Sequence, residues 1–174
     1  AADATYRADP DARPETSRDD GRDPLFSDQP NNWTPVAAGA GLAWVTDPLP
    51  TDTVIAGTAS VDLQVTATAA DTDLQATLSE VRPDGQETYL ETGWLRASHR
   101  ALDRDRSTEL DPVPTHQAAD RSRLSADEPA TVRISVNPVV HALRAGSRLR
   151  LTLTAPGGDR PLWTWKTIDD GRTK

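Results

Sequence analysis

The sequence predicts an all-β fold, a β-sandwich, on three observations. Between Val54 and Ala97, apolar and polar residues alternate through three consecutive runs, the period of two that marks a half-buried strand. Between Ala130 and Ala155 the alternation returns twice more. The composition, with 14 prolines, 10 glycines and 36% hydrophobic residues, suits short strands joined by turns better than a helical bundle. A chain of 174 residues is long enough for one domain with a core and short for two. Aromatic residues make up 5%, which leaves the core to Val, Leu, Ile and Ala.

Taken in order, residues 1–40 read as an irregular lead-in arm, rich in Asp, Arg and Pro and without apolar periodicity. Tyr6, Leu25, Phe26 and Trp33 are its large apolar groups, each able to anchor a wrapping loop. Asn32-Trp33-Thr34 matches the glycosylation sequon, a pattern frequent by chance. The sandwich is expected over residues 41–174. Leu42 to Thr46 is its first strand, stopped by Asp47-Pro48. In the next run Val61, Leu63, Val65 and Ala67 share one side, and Asp62, Gln64, Thr66 and Thr68 the other. After Ala69–Asp73, Leu74, Ala76 and Leu78 repeat the pattern, and the change of phase at Val81 calls for a bulge near Ser79-Glu80. Pro83-Asp84-Gly85 then turns the chain, since proline presets φ and glycine accepts positive φ. In the third run Tyr89, Gly93 and Leu95 lie on one phase and Leu90, Thr92 and Trp94 on the other, so both faces are candidates for burial.

Ser98 to Pro129 has no periodicity and is long for a connection in a compact domain. Val132, Ile134 and Val136 then form a strand that Pro138 ends. Val139 to Arg144 reads as one helical turn, closed at Ala145-Gly146 by a left-handed glycine. Leu149, Leu151, Leu153 and Ala155 make another strand, and Pro161 to Thr167 follows the Pro156–Asp159 turn. Burial of a leucine is worth about 1.5–3 kcal/mol, so truncation is expected to cost most at Leu63, Leu74, Leu78, Leu151 and Leu153.

The formal charge of −8 repels nucleic acid and anionic membrane, so neither is an expected partner. There are no cysteines, hence no disulfide and no thiolate metal site. No apolar run of about 18 residues and no signal-peptide core is present. The chain also lacks methionine, so it is expected to be a piece of a longer protein. Compartment and homo-oligomerisation stay open.

No serine sits in the G-x-S-x-G frame that a hydrolase nucleophile elbow needs; Ala145-Gly146-Ser147 comes nearest. His99, His116 and His141 stand far apart, without H-E-x-x-H or Cys/His spacing, so zinc is not expected and His141 reads as a packed structural histidine. Asp71 and Asp73 can hold a hard cation or close their turn through backbone N–H groups, the second being the ordinary use. Gly157-Gly158 reads as a turn, since neither a helix start nor a lysine follows. No catalytic residue, cofactor or metal site is therefore assigned. The possible interface or ligand-contact residues are the aromatic ones: Trp94, Trp163, Trp165, Tyr6 and Phe26. Trp163 and Trp165, two apart, share a strand face. They can form a sugar-stacking platform, as in a freestanding carbohydrate-binding module, or a contact with a neighbouring domain, which the fragment reading favours.

The order of these signals resembles the C-terminal jelly-roll domain of the X-Pro dipeptidyl-peptidase and cocaine esterase (CocE/NonD) family of serine hydrolases. Its carriers are Asp47-Pro48-Leu49, Gly57 before VDLQV, Asp71-Thr72-Asp73 before LQATLSEV, Pro83-Asp84-Gly85, Gly93-Trp94-Leu95-Arg96-Ala97, and Arg144 to Leu151, close to the family's A-G-H-R-L-x-L. Upstream, Tyr6, Asp9, Pro10 and Pro14 are similar to a Y-x-x-D-P-x-x-P lead-in. The resemblance implies a galactose-binding-like jelly roll attached to an α/β-hydrolase whose Ser-Asp-His triad lies upstream. It also implies packing on that catalytic domain, where the sandwich helps wall the pocket while the serine attacks an ester or amide carbonyl. Ser147 stands in place of the family's usual histidine, the Asp/Arg-rich stretch after Ser17 replaces a common Gly-Gly turn, and the family's final strand is absent.

Overall fold

A computed structural model describes residues 4–12 and 37–157. The readings made at Leu25, Phe26, Trp33, Trp163 and Trp165, and the strand expected over Pro161 to Thr167, lie outside the described residues. Six strands are described: β1 (Gly41–Val45), β2 (Thr53–Val65), β3 (Asp73–Val81), β4 (Glu87–Arg96), β5 (Ala130–Leu143) and β6 (Arg148–Thr154). They form an antiparallel sheet of order β1-β6-β3-β4 and an antiparallel β2-β5 pair. The pairing is nested, first strand with last, second with fifth, third with fourth. This is the pattern of a ribbon folded at the β3–β4 turn and rolled into a jelly roll.

One core lies between the sheets. Leu74, Ala76 and Leu78 of β3, Leu95 of β4 and Leu153 of β6 meet Val61 of β2 and Val132, Ile134, Val136 and Leu143 of β5. Across it β4 approaches β5 so closely that a Cβ on Gly93 would stand 2.0 Å from the Ser135 carbonyl oxygen. The alternation read in β2 and β3 is therefore the core face, and both faces of β3 and β4 are covered: Gln75, Thr77, Ser79 and Thr92 are as buried as the leucines opposite. Those polar groups bond to each other, with Gln75 Nε2 donating to Thr77 Oγ1 at 3.2 Å and Ser79 Oγ to Glu87 Oε1 at 2.5 Å.

The bulge expected near Ser79-Glu80 is present between Leu78 and Ser79, where Leu78 faces Glu91 and Ser79 faces Tyr89. The extra residue is thus Leu90 of β4, which is why Tyr89 and Leu90 are both buried. Pro138 does not end its strand, nor is Val139 to Leu143 helical, because β5 runs on to Leu143. The register shifts there, Gly57 facing Val139 and Ala59 facing Val136, so the proline sits in a bulge where no ladder N–H is required. Gly146 does take positive φ, 84°, but in a turn that carries the chain from one sheet to the other. Finally, Leu63 and Leu151 are only half-buried, while Leu143, read as part of a helical turn, is 2% exposed.

The aperiodic 98–129 segment is a built structure. Ala97–His99 and Ala118–Asp120 are 3-10 turns. Between them the chain doubles back through the Leu102–Pro114 bridge, flanked by Asp103 N–H to Val113 O and Thr115 N–H to Ala101 O, each 2.9 Å. Leu124 then joins the core, its N–H bonded to Ala70 O at 2.7 Å.

Candidate functional site

A cleft of about 310 Å³ opens at the start of β3 and the end of β4, lined by Trp94, Asp73, Arg96, His99 and His116 together with Leu74 and Leu95. Trp94 is half-buried and its Nε1–H donates to Gln75 Oε1 at 3.0 Å, which fixes the indole on the face away from the core. Arg96 forks onto Asp73, Nε to Oδ1 at 2.9 Å and NH2 to Oδ2 at 3.0 Å. That bidentate bond, more than any other influence, raises the guanidinium above its ordinary pKa. His99 ends the first 3-10 turn and His116 follows the doubled-back hairpin, so the two rings stand with centroids 6.5 Å apart. Seventeen positions of sequence hid this pair; the Leu102–Pro114 bridge, with no periodic signal, brings it together.

Asp71 takes the ordinary use expected of it. Its buried Oδ1 accepts Ser98 N–H at 2.9 Å and Thr72 N–H at 3.0 Å, tying the β2–β3 turn to the start of the long connection. Oδ2 has no hydrogen bond but lies 3.5 Å from Arg121 NH2, a contact of charge alone.

His141, Ser147 and Glu80 form a second cluster. Ser147 is fully buried and its Oγ donates to Glu80 Oε1 at 2.6 Å, while His141 Nε2 stands 2.8 Å from Glu80 Oε2. Burial alone would push the Glu80 carboxyl up. The hydrogen bonds from Ser147, His141 and the Arg144 backbone N–H together outweigh it and hold the group below its ordinary range. The serine bonds the acid rather than the imidazole and has no access to a substrate. The cluster therefore clamps β3 to β5 and to the β5–β6 turn, which is the structural role expected of His141.

The arm's described part, residues 4–12, lies on the sandwich. Tyr6 packs against the core, and burial pushes its phenol up to about 12. Arg7 N–H bonds Gly39 O at 2.9 Å, and a Cβ on Gly157 would come within 2.1 Å of Pro10 O. Tyr6 is thus an anchor of the arm to its own sandwich.

A rolled β-sandwich whose buried carboxylates tie its own loops together, and whose open cleft is walled by an indole and two imidazoles, is an all-β domain of the jelly-roll kind. The chain belongs to the family of X-Pro dipeptidyl-peptidase C-terminal non-catalytic domains, whose model matches residues 4–167. Among solved structures it is similar to a CocE/NonD family hydrolase from Staphylococcus aureus, at 25% identity and a TM-score of 0.65, over 74% of this chain and 27% of that one. An aminopeptidase from a Thaumarchaeota archaeon of marine sediment (20% identity, TM-score 0.54, 68% of this chain and 18% of that one) shares the fold. So does an α-amino acid ester hydrolase (20%, 0.54, 71% and 19%). The chain spans about a quarter of the length of the staphylococcal hydrolase. No curated protein sequence matches it.

Proposed function

We propose that the chain is the companion domain of an α/β-hydrolase, that it packs on the catalytic domain and helps wall its substrate pocket, and that the whole protein cleaves ester or peptide acyl bonds by a Ser-His-Asp mechanism. The supporting observation is the match of residues 4–167 to a domain family described as non-catalytic and C-terminal to an X-Pro dipeptidyl-peptidase. The similarity to part of a CocE/NonD hydrolase agrees with it. In this reading residues 1–40 are an arm and residues 41–174 the sandwich. Trp94, in its open cleft, is the contact residue offered to the catalytic domain, joined by Phe26, Trp163 and Trp165. The net charge of −8 keeps nucleic acid and anionic membrane from being partners.

Trp94→Ala in the whole hydrolase tests this reading. Loss of a central aromatic contact typically costs about 2 kcal/mol or more of association. The domains should therefore loosen, with KM for an acyl ester or an X-Pro anilide rising. Unchanged kinetics with unchanged domain association would remove Trp94 from the interface. Saturable binding of a simple sugar, lost in Trp94→Ala, would instead speak for a carbohydrate-binding module.

A further inference from the structure

We propose that His99 and His116 form a two-histidine site for a divalent transition-metal ion of the Zn²⁺ class at the mouth of the Trp94 cleft, with water completing the coordination shell. The inference is independent of the hydrolase reading and rests on three observations. First, the two rings line one cleft with centroids 6.5 Å apart and planes inclined by 35°. With a Zn–N bond of about 2.0–2.1 Å, each ring centre lies about 3.2 Å from the metal, so a tetrahedral angle sets the centres about 5.2 Å apart and a collinear one about 6.4 Å. At 6.5 Å the pair stands about 0.1 Å beyond the collinear limit. Closing it by roughly 1 Å needs only a side-chain torsion of the exposed His116.

Second, among the described residues neither imidazole has a hydrogen bond, whereas His141 is engaged by Glu80. The hairpin between them is held by its backbone ladder and by Ser107 Oγ, which accepts Val113 N–H at 2.9 Å and donates to Val113 O at 3.3 Å. The rings are therefore not needed to hold the loops. Third, His116 is the one non-glycine among the described residues with positive φ, 54°. A left-handed backbone at such a residue costs about 1–2 kcal/mol, and strain of this kind gathers at ligand sites. Among the described residues no cluster of three ligating His, Cys, Asp or Glu side chains forms, so this is an open site. Imidazole nitrogens favour borderline ions such as Zn²⁺ over Ca²⁺ or Mg²⁺.

The experiment is a titration of the full chain with ZnCl₂ in a non-chelating buffer, read by calorimetry and by ¹H–¹⁵N imidazole spectra. One ion per chain is expected, with the His99 and His116 ring signals moving together and those of His141 unmoved. H99Q and H116N should each weaken binding by at least about tenfold, the lower end of what even an outer-shell partner contributes. Asparagine tolerates the left-handed backbone, so H116N keeps the loop and alone decides the matter if H99Q does not fold. No heat and no ring shifts, shifts confined to His141, or binding that survives H116N would each overturn the proposal.

Discussion

Gly93 lets β4 lie against β5 backbone to backbone. A Cβ there would stand 2.0 Å from the Ser135 carbonyl oxygen and 2.7 Å from its carbon, and neither atom belongs to a side chain that can swing away. Gly93→Ala should destabilise the domain by about 1–3 kcal/mol or more, seen as a lower urea midpoint with the slope kept. Glu80 makes a prediction of different kind. Its carboxyl is held below the ordinary value of 4.5 in the folded chain, so the unfolded chain binds its proton first. The stability this contributes is present above that ordinary value and is lost as pH falls through the lowered one. Acid titration of unfolding free energy should show this loss in the native chain and a smaller one in Glu80→Gln. Neither effect was legible from sequence: Gly93 read as one phase of a strand, and Glu80 as the edge of a bulge.

At the level of the element, β2, β3, β4, β6 and the first half of β5 were foreshadowed by alternation, because each sets a face on a single apolar core. The failures have a common cause, since periodicity reports neighbours along the chain and not across it. Pro138 looked like a stop until its partner strand supplied a bulge. Leu143, placed by the continuation of β5, turns out to be 2% exposed. Leu143→Ala should therefore cost about 2–5 kcal/mol, more than Leu63→Ala at its half-buried site, by denaturant unfolding of the two variants. The 98–129 connection is the extreme case. Its shape comes from the Leu102–Pro114 bridge, from Asp71 reaching Ser98, and from Leu124 entering the core. None of these leaves a periodic trace, and with them went any sign that His99 and His116 meet.

For the whole molecule, the nested pairing of six strands and the family match place this chain among non-catalytic C-terminal domains of larger hydrolases. The architecture is consistent with that role. The two sheets are locked by a buried core and by the Glu80 clamp, the described part of the arm is anchored by Tyr6, and the cleft at Trp94 is open. The resemblance of turns and short motifs carried the family in the sequence, because turn residues are dictated locally by φ and survive without their context. The most direct measurement is acyl-ester turnover by three samples: this chain alone, the whole hydrolase truncated of it, and the two mixed. The account predicts no turnover from the chain alone, a loss in the truncated enzyme, and recovery of part of that loss on mixing. Turnover by the chain alone, or a truncated enzyme as active as the whole, would contradict it.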